Sequence, residues 1–394
     1  KREVGTEGLA RQIRCKRGHR PIIGVLHSPS PGFLSPFFAA CSAALRAMPA
    51  PPLRTLLLQE DATPGGVFTI TQQLSQALQH AGHEVQSCAL RTCTQGQLYH
   101  AARSADLLIA THNFRPAYAA WLLGLCTRRP VLVWFHGPLQ EVLAAAHAHP
   151  AKRRWLRWLY ARLPHLVFVS QAAHDSYLRF MAGTPLEGQT RCVIVNAHPA
   201  GLDSPQAPQA VASERTGRMG FVGRLAAEKN PQRLLETLAC LPAPFQLDMV
   251  GDGPLRATLA AQGQALHAEG RLQLWPFQPV DAALYQRWQI TLLASHYEGC
   301  PMAVLESLAA GVPCAATPIP ALQEMLAPAM PYALASDDSA AALAAAVRRV
   351  CALPPERLAQ DIARVLARYR PADFAHAWST LVQRTARPHP TRAA

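Results

Sequence analysis

The sequence predicts an α/β protein made of two doubly wound, Rossmann-like domains facing each other across a cleft, and three observations carry that expectation. The first is alternation. Short apolar runs separated by helical patterns fill almost the whole chain: Leu53–Leu58, Asp106–Ala110, Val131–Phe135, Leu166–Ser170 and Val193–Val195, then Met219–Val222, Gln246–Val250, Leu272–Leu274, Ile290–Ala294 and Pro313–Ala316. Strand and helix in turn give a parallel sheet covered on both faces. The second is the stretch from Pro199 to Gly217, rich in Pro, Ala, Gln and Ser and without periodicity, which parts the two strand series and reads as a linker. The third is size. At 394 residues the chain exceeds one ordinary core and suits two domains of about 180–200 residues, and with 49% apolar residues it can fill both.

The expected organisation follows in order. Residues 1–52 form an N-terminal extension packed on or flanking the first domain, 53–200 the first domain, 201–217 the linker, 218–370 the second domain, and 371–394 a terminal helix and tail. Within the first domain an amphipathic helix is expected from Thr69 to Ala81, closed by Gly82. No internal repeat of fixed period is evident.

Charge is unevenly shared. Residues 1–200 hold 21 basic and 9 acidic side chains, against 17 and 16 in residues 201–394. The first half therefore expects an anionic partner, such as a phosphorylated glycolipid, a membrane surface or nucleic acid. Ten cysteines form no Cys-x-x-Cys pair, and Cys88 and Cys93 lack histidines at zinc-site spacing, which suits a reduced, cytoplasmic protein. No apolar run approaches the ~20 residues of a membrane span. Lys1 to Arg20 is basic, but the apolar stretch after it, Pro21 to Leu26, is too short for a signal peptide.

The segment from Tyr297 to Pro313 is the richest in chemistry. It follows a buried strand and sets Glu298 in a Gly/Pro turn with Gly299, and Glu306 on the next helix, with seven residues between the acids. Ligands of parallel sheets bind at such carboxyl strand ends. The alternative is an ordinary turn with a solvated helix acid. A glycosidase pair needs carboxyls about 5–10 Å apart across a cleft, whereas eight residues of helix rise about 12 Å, so a local hydrolase pair fits poorly.

After the first strand of the second series, Gly223-Arg224-Leu225-Ala226-Ala227-Glu228-Lys229-Asn230-Pro231 combines a glycine turn, two cations and a helix opening, which together suit an anion. Only four of the 38 basic residues are lysines, and Lys229 is the sole one after Lys152. The alternative is a surface loop with two solvated cations. Gly251-Asp252-Gly253 follows another strand, but Arg256 occupies the third position of a dinucleotide fingerprint, leaving a turn that shapes a nucleotide pocket or serves structure alone. In the first half, Gly65-Gly66 lets backbone amides approach a phosphate or sugar, or is a common loop. His136 ends a strand before Gly137 and is either a cleft residue or a structural histidine. Residues 152–163 make a basic helix. Its wheel puts Trp155, Leu156, Leu159, Tyr160 and Leu163 on one face and Arg153, Arg154 and Arg157 on the other, so it either rests on an anionic membrane or packs on the sheet with a solvated arginine face.

Together these motifs resemble the retaining glycosyltransferases of family 4, which adopt the GT-B fold. The resemblance runs from about Leu53 to Trp378 and is most specific in FVGRLAAEKNP, VGDGPLR and EGCPMAVLESLAAGVP, with weaker echoes in GGVFTITQQLSQALQHAGHEV, FHG, VFVSQAAH and VIVNAHP. It implies that Arg224 and Lys229 bind the donor diphosphate and stabilise the charge growing on it. It further implies that Glu306 holds the ribose hydroxyls, that Glu298 and His136 contact the donor sugar, and that Gly65 and Gly66 leave room for phosphates and acceptor. Gly223, Gly251, Gly253 and Gly299 would belong to the donor site. Acceptor attack on the face the diphosphate leaves needs no carboxylate nucleophile. No Asp-x-Asp occurs, so protein cations would replace a metal, and no cofactor is expected beyond the nucleotide sugar as co-substrate. VIVNAHP lacks the family's usual Asn-Gly, which puts the hinge role of Asn196 in doubt, and the helix within Pro371 to Arg384 would cross back to the first domain.

The leading expectation is thus a metal-independent hexosyl- or N-acetylhexosaminyltransferase acting on a lipid-linked or lipopolysaccharide acceptor at the inner face of a bacterial membrane, cytoplasmic or peripheral on it. Rivals are a nucleotide-sugar epimerase of related fold and a catalytically silent subunit. Nucleic acid is not expected, because no recognised binding motif accompanies the charge.

Overall fold

A computed structural model of the chain describes residues 52–61, 65–199 and 217–386. The extension over 1–51, Thr63 and Pro64 of the glycine loop, the linker over 201–216 and the last eight residues lie outside the described residues.

The first sheet is assembled from β1 (Arg54–Gln59), α1 (Gly66–His80), β2 (Glu84–Ala89), α2 (Gln95–Ser104), β3 (Leu107–Ala110), α3 (Arg115–Thr127), β4 (Val131–Phe135), α4 (Leu139–Ala145), α5 (Pro150–Tyr160), β5 (His165–Phe168), α6 (Gln171–Phe180) and β6 (Thr190–Val193). Its strands are parallel in the order β2-β1-β3-β4-β5-β6. β3 and β4 are buried along their whole length, as central strands covered on both faces must be, and read as continuous apolar runs. β2 is one of the two edge strands, and its Glu84-Val85-Gln86-Ser87-Cys88-Ala89 is mostly solvated, so the apolar pattern did not mark it. α1 starts three residues before the expected Thr69, at Gly66 itself. β6 ends at Val193, before most of the expected run to Val195.

The second sheet comprises β7 (Arg218–Val222), α7 (Pro231–Ala239), β8 (Gln246–Val250), α8 (Arg256–Gln262), α9 (Gln264–Ala268), β9 (Leu272–Trp275), α10 (Ala282–Tyr285), β10 (Ile290–Leu293), α11 (Met302–Ala309), β11 (Cys314–Ala316), α12 (Pro320–Leu326), α13 (Ala340–Cys351) and α14 (Pro355–Leu366). It is parallel in the order β11-β10-β7-β8-β9. The chain ends its described course in α15 (Pro371–Thr385), whose Phe374, Trp378 and Val382 are buried in the core of the first sheet, with the Trp378 ring 4.8 Å from that of Trp134.

Both orders contain a reversal. In the first sheet the winding changes direction between β1 and β3, in the second between β7 and β10. At such a point the connections leave to opposite faces and a crevice opens outside the strand ends.

The basic helix is α5, and its expected wheel needs one correction. Leu156, Leu159 and Tyr160 are buried on the sheet, but Trp155 lies outward with Trp158, and both are exposed. Arg153 and Arg157 are not free in solvent either: Arg153 donates to the Gln140 side chain at 2.8 Å, and Arg157 to the Phe180 carbonyl at 2.8 Å.

Candidate active site

The two loops that flank the β7/β10 reversal carry the charged candidates. Gly223 opens the loop after β7. The loop after β8 is laced to it backbone to backbone: Leu225 N donates to Asp252 O and Leu255 N to Leu225 O, each at 2.9 Å. This proximity explains the glycines. A Cβ on Gly251 would fall 2.0 Å from the Gly223 carbonyl oxygen, and one on Gly253 2.4 Å from that of Leu225. Both glycines thus turn toward the neighbouring loop, and they shape the wall of the crevice by letting the loops touch.

Arg224 is exposed and ion-paired with Glu228. Lys229 ends a single 3-10 turn, and its Nζ lies 2.5 Å from Glu298 Oε1, which also accepts a hydrogen bond from Ser295 Oγ at 2.7 Å. His296 N donates to the Glu228 carbonyl at 2.9 Å and ties the two loops together. The structure therefore brings Lys229 and Glu298 into direct contact and sets Arg224 one ion pair away. Glu306 is apart from them. It projects from α11, half-buried, and its Oε2 accepts from the Tyr285 hydroxyl at 2.8 Å. Burial lifts its carboxyl above the ordinary value, and the Tyr285 hydrogen bond only partly opposes this.

Gly299 is the meeting point with the first domain. A Cβ there would fall 1.9 Å from the His136 carbonyl oxygen, and the Gly299 carbonyl accepts a hydrogen bond from Ser170 Oγ at 2.7 Å. His136 itself packs 4.3 Å from the Trp134 ring. Burial drives its pKa well below the ordinary value and nearby His112 pushes the same way, while a hydrogen bond to the Thr111 backbone opposes them. The imidazole is thus neutral, with Nε2 buried and unpartnered. Asn196 donates to Met302 Sδ at 3.5 Å and so also lies where the domains meet.

Gly66 opens α1 beside Met302, the first residue of α11: a Cβ on Gly66 would sit 3.5 Å from Met302 Cγ. Neither helix has a side-chain cap, so two sets of unsatisfied N–H groups, with their partial positive charge, approach each other from opposite domains. At the other reversal, between β1 and β3, a recess of about 180 Å³ is lined by Gln59, Glu60, Asp61, Thr71, Thr111 and His112 among others. Arg115 reaches Glu60 at 3.4 Å, and Arg91 lies 3.8 Å from both Glu60 and Asp61.

Ser295, Tyr285, Glu228 and Ser170 were not singled out in the sequence. Ser295 and Glu228 carried a signal, the first three residues before Glu298 in the same turn and the second four residues after Arg224 in the same loop; Tyr285 and Ser170 are joined to their partners only by the fold. Among the described residues no group of three or more His, Cys, Asp or Glu could hold a metal ion, and no helix is long and apolar enough to cross a membrane.

Comparison with solved structures decides the architecture. The chain superposes on the crystal structure of Anabaena HepE in complex with UDP and glucose, with a TM-score of 0.68 at 17% identity, over 84% of this chain and all of that one. The chain has the GT-B fold. Residues 205–364 of this GT-B chain match the family model described as glycosyl transferases group 1. Two curated relatives align over shorter segments. The 2-deoxystreptamine glucosyltransferase of Streptomyces kanamyceticus is 31% identical over 147 residues, 36% of this chain and 38% of the relative. The lipopolysaccharide 1,6-galactosyltransferase of Escherichia coli K12 is 29% identical over 118 residues, 29% of this chain and 32% of the relative. The aligned segments thus span about a third of the length of these relatives.

Proposed function

We propose that this GT-B protein is a retaining glycosyltransferase that moves a hexosyl or N-acetylhexosaminyl group from a nucleotide sugar to a glycan or lipid-linked acceptor at a membrane face, without a metal. The observation that carries the reading is the Lys229–Glu298 pair at the β7/β10 reversal, with Arg224 beside it and Glu306 on the following helix, all inside the segment matched to the group 1 model.

Each residue then has a task. An ammonium has three donors, so Lys229 can keep Glu298 and still bind a diphosphate oxygen, with Arg224 supplying a second cation. As the bond between the sugar's C1 and the diphosphate oxygen breaks, the negative charge left on that oxygen meets both cations and the uncapped ends of α1 and α11. The acceptor oxygen forms its bond to C1 from the same face, and its proton passes to the departing phosphate oxygen. Glu298, held by Lys229 and Ser295, fixes the sugar hydroxyls; Glu306 accepts from the ribose; neutral His136 offers Nε2 as an acceptor from the opposite wall. The two cations meet the electrostatic need that a metal would otherwise serve. The recess at the β1/β3 reversal is sized for about one sugar ring and is the acceptor's place, with Arg91 and Arg115 at its rim for an anionic group.

The reading is tested by screening nucleotide sugars for a rise in melting temperature, which scales with ligand concentration over Kd, and then assaying transfer. Lys229→Ala is expected to lower kcat/KM by about 10²–10³-fold, the usual loss of one charge-stabilising contact, and Glu306→Ala to lower it by raising the donor KM as the ribose contacts are lost, both with unchanged circular dichroism. Full activity in both variants would sink the assignment.

A further inference from the structure

Four of the eight exposed large apolar side chains among the described residues lie on one surface of the first domain. Leu122 and Leu125 of α3 are 57% and 61% exposed, Trp155 and Trp158 of α5 42% and 43%. The two helices lie alongside each other, joined by a ladder of rings: Tyr118 meets Trp155 edge-on at 4.6 Å between centroids, and Trp121 meets Trp158 at 5.5 Å. Tyr118, Trp121, Leu122 and Leu125 follow the i, i+3, i+4, i+7 spacing of one helical stripe. Sheet packing does not account for them, because α5 already buries Leu156, Leu159 and Tyr160.

The chain segment that carries this surface is rich in cations. From residue 111 to 170 the chain holds eight arginine or lysine residues and a single acid, Glu141, which is engaged by Ser176 and Arg179. Lys152 and Arg154 are exposed on α5, Arg128 at the end of α3, and Arg162 stacks on Trp158 with its guanidinium 4.0 Å from the ring centroid. Indoles and leucines ringed by cations match a bilayer interface, where rings enter among the acyl chains and cations meet anionic headgroups. The surface also leads to the acceptor recess: Lys152 Nζ lies 5.8 Å from the Phe114 ring, and that ring 5.5 Å from His112 in the recess wall.

We propose that α3 and α5 together form the face on which this protein docks to an anionic phospholipid membrane, so that an acceptor held in that membrane is presented at the β1/β3 recess. Only the last clause rests on the function proposed above; docking itself needs neither donor nor acceptor.

The test is flotation of the full chain with vesicles of phosphatidylcholine alone, or of phosphatidylcholine and phosphatidylglycerol in equal parts, at low and high salt. Binding is expected to the anionic vesicles only and to weaken as salt screens the cations, with a blue shift of tryptophan emission. Leu122→Ser with Leu125→Ser, and separately Trp155→Ser with Trp158→Ser, should each lower the partition coefficient about tenfold or more; Lys152→Gln with Arg154→Gln should weaken it and flatten its salt dependence. Since both leucines point into solvent, the leucine pair is a test even if the tryptophan pair disturbs the helix contact. No binding to anionic vesicles, or binding as tight as wild type in both the leucine and the tryptophan variants, overturns the proposal. So does light scattering that finds a dimer dispersed by the leucine variant while vesicles are ignored, which would make the face a protein contact. Transfer to a soluble acceptor without vesicle binding overturns docking and leaves the enzyme; vesicle binding without transfer does the reverse.

Discussion

At the residue scale, Glu306 links burial to pH. Its carboxyl stands above the ordinary value of 4.5 because burial disfavours the charged form. Between 4.5 and the raised value the native state therefore holds a proton that the unfolded chain has lost, so stability from this group falls as pH rises through that window. Nucleotide binding runs the other way, because only the ionised carboxylate accepts both ribose hydroxyls. The nucleotide Kd, measured by calorimetry, is expected to climb as pH is lowered through the raised pKa, approaching about tenfold per pH unit below it, and to lose that slope in Glu306→Gln. The same slope in both proteins would remove Glu306 from the nucleotide site. His136, already neutral, should add no step near 6.5. Glu298, Glu306, Arg224 and Lys229 could be picked out from sequence because each lies in a short motif just after a strand. Tyr285 could not, since it reaches Glu306 from a four-residue helix, and that meeting is a product of the fold.

At the scale of elements, the loops at the strand ends depend on having no side chain at chosen points. The Gly299 contact with the His136 carbonyl leaves no room for a methyl group between two backbones. Gly299→Ala must therefore push the Glu298 turn away from the first domain, and since a 1 Å misplacement can cost about 10²-fold in rate, a kcat loss of that order is expected. The nucleotide Kd should stay close to wild type, because Glu306 and its Tyr285 partner lie on α11 and α10. Steady-state kinetics with nucleotide calorimetry checks this, and an unchanged kcat would mean that the two domains separate here before reaction. Most elements were legible for the reason that made them form: central strands buried on both faces are continuous apolar runs. β2 was not, because an edge strand meets solvent and keeps polar residues. The wheel of α5 misled at Trp155 because it assumed one buried face, whereas α5 packs against both the sheet and α3, and the indole turns to Tyr118.

At the scale of the whole molecule, a carboxylate of one domain caps a helix of the other. Glu324 of α12 accepts from the backbone N–H of Gln171 at 2.9 Å and of Ala172 at 2.8 Å, the first two residues of α6. An anion at a helix N-terminus contributes up to about 2 kcal/mol in a partly buried setting, which corresponds to about 30-fold in a closed-to-open equilibrium. Ser170 on Gly299 and the His198 N–H on the Tyr369 carbonyl, at 2.9 Å, hold the same junction. α15 limits the opening, since Phe374, Trp378 and Val382 remain in the first core while the chain before Pro371 belongs to the second domain. Glu324→Ala should therefore swing the domains apart without unfolding either. In solution scattering the variant is expected to show a larger radius of gyration than wild type, reduced again by saturating nucleotide sugar, whose diphosphate draws α1 and α11 together. kcat should fall while each domain keeps its circular dichroism. Identical scattering curves for the two free proteins would show that Glu324 does not govern closure and that Ser170, Gly299 and α15 suffice to hold the cleft.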